Sequence, residues 1–546
     1  MVRGRRAGPI GWGAAGPSLT RVVPLALGLL PALARAPAAA QTRDWAPEDR
    51  AVIGDFTTIT AVAVSNDLVF AVTPTAVVVW NPPARRWQGP YTPPDGRLLQ
   101  GVFAALADPL DQALWLGRRD GWTRFEVQLR LWAGGPVPGN VLDIALDQDN
   151  PLGGLFLRTG AGWYTVPSGS DVATPGAAPA RPLRPASVND AIRANPALEA
   201  NRAAILTAGR LRSARYTAAA AASGFAGRGW YLGTAGAGLL YLAEGAALPE
   251  RLRFGLPGAG VAAVYAAPTG VWVVTERTAA SDPSLSFVSA RLDEFQWLQG
   301  SWIRGLPFSQ ARALVGQGSA LWLGTDAGLI RIVPKSEDVT AFDESRGLPD
   351  SRVLDLAARR GRVVAGLAHG LVVAADSGEP ERLAPDFSDE ARAVLLGPGD
   401  TVWVGTRLGL FRALPGEREL QQPAGLREAP SLQAPVYDLA WRGDTLVALL
   451  EDRLLWRDPG SGRYALGPAL GNVVGRVHTL LSTPAELFVA GERGFVRLGL
   501  TTPPGRPTLT PGDLPGPVTD LAADETYLWV GTTQGLVRFR LDAVPR

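Results

Sequence analysis

The 546-residue sequence contains no cysteine. That absence excludes disulfides, thiolate metal sites, a cysteine nucleophile and lipid attachment through cysteine. Histidine is reduced to His369 and His478. A histidine-based metal site would have to use both, and neither a zinc centre nor a Ser-His-Asp triad is expected. Lysine is reduced to Lys335, so arginine carries almost all the positive charge, in a chain rich in Ala, Gly and Pro. This bias is compositional and gives no single arginine functional weight. Beyond the first forty residues no apolar run approaches the roughly 20 residues of a membrane-crossing helix.

Residues 1–40 read as an export signal rather than as part of a fold. Arg3, Arg5, Arg6 and Arg21 form a basic start, Val22 to Ala34 an apolar stretch, and Ala38, Ala39 and Ala40 a small-residue cleavage site before Gln41. The expected location is periplasmic or extracellular, by the general secretory route. Losing the five arginines of this segment takes the net charge from +2 to −3. A nearly neutral mature chain lacks the clustered cations that a nucleic-acid backbone requires, so no nucleic-acid partner is expected.

What is present is a repeat. The phrase LWLGTDAGL begins at Leu321 and returns as VWVGTRLGL at Val402, LWVGTTQGL at Leu528, LWLGRRDGW at Leu114 and WYLGTAGAGL at Trp230. Weaker copies begin at Val69, Leu155, Val271, Val363, Leu446 and Leu487. The eleven copies are 39 to 50 residues apart, except for a 75-residue interval after Leu155. Two β-prone runs flanking a Gly-containing turn spell a hairpin, strands B and C. An apolar run about a dozen residues earlier, such as Val353 to Ala357, supplies strand A. A more polar run after the phrase, such as Asp338 to Phe342, supplies strand D before a Gly-Leu-Pro link. Four short antiparallel strands per unit is the blade of a β-propeller, so the expected fold is all-β with about eleven four-stranded blades. Eleven blades exceed the four to eight of a typical ring, so two rings, one inserted in the other, are expected; one large ring is the alternative.

The phrase LWLGT followed by GLIRI, with Gly-Leu-Pro between units, resembles the two-component regulator propeller repeat. That repeat occurs in the periplasmic sensor halves of bacterial hybrid kinases and in stand-alone exported proteins. The resemblance covers most of residues 45–546 and implies a sensor-like binding role, without naming a ligand. No membrane helix or kinase-like region follows the last repeat, so transmembrane signalling by this chain itself is not expected.

The last unit lacks strand D, and the unassigned Asp44 to Ile53 has the length to supply it. Pairing the termini would hide an exposed edge and place the first and last units in one ring. The expected organisation is a signal at 1–40, first blades at 41–166, an insert at 167–215 and remaining blades at 216–546. Within the insert, Ser168 to Pro185 is a Pro- and Ala-rich loop. Ser187 with Asp190 then marks a helix start, Pro196 divides the helical part, and the insert is either a lid or a linker.

Catalytic chemistry has few candidates. Asp147 to Asn150 loosely resembles a calcium loop, but Pro151 falls on a ligand position, and an A-to-B turn needs no metal. Asp143, Asp355, Asp438 and Asp520 share one blade position, which points to hydrogen bonds between blades. Unrepeated residues are better site candidates. A meander sends its B-to-C tips and D-to-A links to one face. That face carries Arg119, Asp120, Arg277, Asp326, His369, Arg407 and Arg493 at tips and Arg312, Arg352 and Arg392 in links. Trp87, Trp132 and Trp302 are possible stacking surfaces. The expected function is a non-catalytic binding module for a glycan, peptide or envelope protein, with no cofactor or metal. A structural part of an envelope or secretion assembly is the alternative, and a propeller lyase or hydrolase the third reading.

Overall fold

The recurrent phrase folds as a hairpin closed by its own side chains. Thr325 ends one strand; its hydroxyl donates to the Gly328 carbonyl at 2.9 Å and accepts the Ala327 N–H at 3.0 Å. Thr406 and Thr532 donate in the same way to Gly409 and Gly535. The glycine before each threonine is where the next blade comes closest. A Cβ on Gly324 would lie 2.6 Å from a Val353 methyl, and one on Gly531 would lie 2.8 Å from a Val261 methyl. The repeat therefore encodes both a hairpin and its neighbour's seat.

These observations come from a computed structural model. It describes residues 49–542 apart from 111–112, 201, 203–204, 208–209, 213, 277–283, 299–305, 308–310, 376–378, 485 and 499–513. The chain divides into Met1–Thr42 and Arg43–Arg546, and the description concerns the second unit. The expected signal, with its cleavage site before Gln41, lies outside the described residues, as do Trp45, Arg277 and Trp302.

Among the described residues the β-structure forms eleven antiparallel sheets of three to five strands and one two-stranded ribbon. Seven of the sheets make a closed ring. Its inner strands are Val261–Ala267, Ala311–Gln317, Val353–Arg359, Ala393–Leu396, Asp438–Arg442, Val477–Ser482 and Val518–Ala523. Each packs on the next and the last packs on the first, the arrangement of a propeller. In the last blade the strand Arg50–Ile53 pairs antiparallel with Gly535–Arg540, Arg50 opposite Phe539 and Ile53 opposite Leu536. The N-terminal segment thus supplies the outer strand that the last blade lacks, and one large ring is ruled out.

The other four sheets form an arc inserted between that strand and the first ring blade. Their inner strands are Ala61–Val64, Val102–Ala107, Val141–Asp147 and Arg215–Ala222, the first to fourth arc blades. The fourth packs on the first, the first on the second and the second on the third. The expectation that the first and last units share a ring is corrected here: residues 50–53 join the ring, but the first full unit belongs to the arc. The chain enters and leaves through a parallel bridge between Asp55 and Leu256. A seam of aromatic rings welds arc to ring, with Phe254 centred 4.9 Å from Phe56, 4.8 Å from Trp87 and 4.5 Å from Phe295. Trp87 is therefore packing rather than a stacking surface, and Trp132 stacks on Phe125 at 4.3 Å within the second arc blade.

The 167–215 segment is not wholly an insert. Thr174–Gly176 is the outer strand of the third arc blade, and Pro182–Leu183 pairs with that blade's inner strand. Ser187 caps helix α1 (Val188–Ala194) through a reciprocal capping box with Asp190. Helix α2 (Ala197–Ala200) follows Pro196. Ala191 and Leu198 of these helices join a buried cluster with Tyr216, Ala219 and Leu232 of the fourth arc blade. One end of the segment covers the third blade and the other covers the fourth, the two ends of the arc.

Candidate functional site

The expected rim residues pair off within their own blades. Arg312, in the link, holds Asp326, at the tip, through two nitrogens, the second at 3.0 Å. In the next blade the Asp350 carboxylate meets His369 Nδ1 at 2.5 Å, and in the one after it Asp389 meets Arg407 at 3.4 Å. Arg476 and Glu492 repeat the arrangement at 3.4 Å. Links and tips do share a face, but there they form charge staples that neutralise one another. Against burial, the His369 side-chain hydrogen bond and the Arg352 N–H hold Asp350 below the ordinary carboxylate range, and the Glu390 N–H, with Arg407 assisting, does the same for Asp389.

The remaining candidates scatter. Arg392 lies 2.9 Å from Glu390 and over the Tyr437 ring at 5.6 Å. Arg352 lends its carbonyl to the Ala368 N–H, and Arg493 reaches the Asn472 carbonyl at 3.4 Å. Arg119 and Asp120 belong to the arc, not to the ring. There the Arg119 carbonyl accepts the Val141 N–H, and Asp120 lies 3.4 Å from Arg118.

Below the mouth, three carboxylates face the channel of the ring. Asp355, Asp438 and Asp520 each accept the N–H of the following residue at 2.7–2.8 Å. Each also accepts an N–H from the next blade: Val394 at 2.8 Å, Leu480 at 2.6 Å and Val264 at 2.8 Å. The expected role between blades is what the geometry displays. Asp143 is the exception, since no blade follows it in the arc; its second oxygen takes Arg184 at 3.0 Å. Enclosure by protein pushes Asp355 up to about 6 and Asp520 to about 7, the backbone donors pulling the other way. Asp438 is pushed well up by burial and by the Asp355 charge. Among the described residues no group of three His, Asp or Glu converges closely enough to hold a metal ion. The Asp147–Asn150 segment is a turn, closed by the Asn150 N–H on the Asp147 carbonyl, with Asp149 on Arg181 at 3.0 Å.

A recess with the volume of a ligand site opens on the other face; a smaller one of about 340 Å³, lined by Gln88, Tyr91 and Arg130, lies in the arc. A cavity of about 820 Å³ runs from Asp355 and Asp438 in the channel to the A-to-B turns at Pro398, Thr401, Gly443 and Asp444. Leu395, Leu396, Trp403 and Trp441 give it an apolar wall, and Arg359, Arg412 and Arg457 give it cations. None of the ten expected site residues lines it. Arg359 is held by the Leu396 carbonyl at 3.2 Å, as is the Trp441 indole N–H at 3.0 Å. Arg457 lies over Trp403 at 5.9 Å. Burial pushes the neighbouring Tyr464 hydroxyl up to about 12 against the opposing charges of Arg457 and Arg412. One sequence signal was available: Trp441 pairs with Leu446 where the two blades before the three-stranded one place Ala358 opposite Val363 and Gly316 opposite Leu321.

No family model matches the chain, and no curated protein matches it. Solved structures of similar fold include the extracellular domain of the putative hybrid two-component system BT4673 from B. thetaiotaomicron. It is 13% identical over 89% of this chain and 70% of that one, with a TM-score of 0.38. The corresponding domain of BT3049 from the same organism is 11% identical over 89% and 68%, with a TM-score of 0.42. Virginiamycin B lyase from Staphylococcus aureus is 13% identical over 52% of this chain and 95% of that one, with a TM-score of 0.40.

Proposed function

We propose that this protein is an exported, non-catalytic propeller that binds a ligand, and that the ligand occupies the cavity spanning the second to fifth ring blades. The observation that carries the reading is that cavity of about 820 Å³. It lies within the roughly 300–1,000 Å³ of small-molecule sites and combines apolar walls with a few convergent polar groups. On the expected rim, Arg312, Arg392 and Arg407 are already engaged with carboxylates. A glycan or a short peptide is the class of ligand proposed. The test is equilibrium binding of oligosaccharide and peptide panels to the wild type and to Trp441→Ala. Saturable binding lost in the variant supports the reading; binding that Trp441→Ala leaves unchanged contradicts it.

A second reading, a component of an envelope or secretion assembly, is favoured by the arc. Leu129, Leu131, Leu142 and Phe225 there expose large apolar side chains, Phe225 at 71%. If this reading holds, Leu129→Asp with Phe225→Asp releases the protein from an envelope complex that the wild type joins. If it fails, the variant fractionates as the wild type does.

A further inference from the structure

We propose that the cavity takes a small organic anion, its carboxylate held by Arg412 and Arg457 and its apolar body lying against Trp441. The inference rests on the cavity being the ligand site and adds the charge of what enters it. Three observations carry it. First, neither Arg412 nor Arg457 forms an ion pair among the described residues, although both line the cavity. On the rim, by contrast, Arg312 and Arg407 each hold a carboxylate. Second, Arg412 Nε is buried without a hydrogen-bond partner, a group that a bound carboxylate oxygen would satisfy. Third, Arg412 pairs with Trp403 across its hairpin and the Arg457 guanidinium lies 5.9 Å from the centre of the Trp403 ring, so both arginines flank one tryptophan of the cavity wall.

Carboxylates also line the cavity. Asp355 and Asp438 stand at its inner end and Asp444 at its open mouth. The inner pair has raised affinity for protons and is already held by two backbone donors each, so a ligand's charge belongs with the arginines.

The test uses the whole mature protein and two probes of one shape, 2-naphthoate and the neutral 2-naphthamide, titrated by calorimetry at pH 7. The expected result is naphthoate binding about tenfold tighter than the amide, the value of a charge-assisted hydrogen bond. That preference shrinks in 0.5 M salt and disappears in Arg412→Gln with Arg457→Gln while amide affinity holds. Equal affinity for the two probes, a preference that survives in the double variant, or no binding of either probe would overturn the inference. Equal binding lost in Trp441→Ala overturns only the anion and leaves the cavity as the site. The two single variants and the salt series on wild type keep the result decidable if the double variant does not fold.

Discussion

The carboxylate of Asp520 accepts the backbone N–H of Val264 at 2.8 Å, across 256 residues of sequence. This bond ties the last ring blade to the first, and the Gly531 seat for Val261 reinforces it. Asp520→Ala leaves that N–H and the Leu521 N–H unpaired and is expected to cost about 1–3 kcal/mol. Asp143→Ala unpairs one N–H, that of Ile144, and a partly exposed pair with Arg184, but no bond between blades, and is expected to cost less than Asp520→Ala. Urea unfolding of both variants at pH 6 checks the ranking, and equal losses would contradict the closure argument.

The channel carboxylates make stability depend on pH. Asp355 at about 6 and Asp520 at about 7 lie above the roughly 3.9 of an unfolded Asp. The folded state therefore binds more protons over that interval. Their contribution is complete below about pH 4 and is lost as pH rises through 6 and 7. Relative to wild type, Asp355→Asn with Asp520→Asn is expected to flatten the decline in unfolding free energy between pH 5 and pH 8. An unchanged slope would show that these groups are not responsible.

The strand Arg50–Ile53 covers the edge of Gly535–Arg540. Removing residues 49–53 exposes that edge and the underside of buried Phe539 and Leu536. Size-exclusion chromatography is expected to show aggregation, or calorimetry a large fall in midpoint. A monomer of unchanged midpoint would mean that the ring closes without its N-terminal strand.

Export is checked at the N-terminus. Mass spectrometry of secreted material is expected to find Gln41 first, because Ala38 and Ala40 suit the small-residue positions of a cleavage site. An intact Met1 in exported protein would contradict it.

Much of the ring could be read from the sequence because its unit is local. The threonine that closes each hairpin and the glycine that seats the next blade lie side by side, as in Gly324 and Thr325. Which blade sits on which glycine was not readable. Gly531 meets Val261 and Gly233 meets Ile59, β-branched apolar residues at or just before the start of an inner strand. The division into ring and arc rests on that choice, made by packing between blades. The pairing of rim charges is hidden in the sequence for a related reason. Charged tips look available in a sequence, whereas Asp350 and His369, 19 residues apart, are joined only once the blade folds. The cavity draws its wall from four blades, and its trace in the sequence is one tryptophan where neighbouring blades place small residues.

The face of the ring that receives the ligand decides between the cavity and the rim. Amide hydrogen exchange, compared with and without a ligand drawn from the panels, reads that directly. Protection is predicted at the turns through Pro398 to Thr401 and Arg442 to Asp444, which border the cavity. Arg312→Ala, Arg352→Ala and Arg392→Ala are predicted to leave that pattern and the affinity unchanged. Protection confined to the tips at Asp326, His369 and Arg407, with binding lost on the rim substitutions, would contradict it.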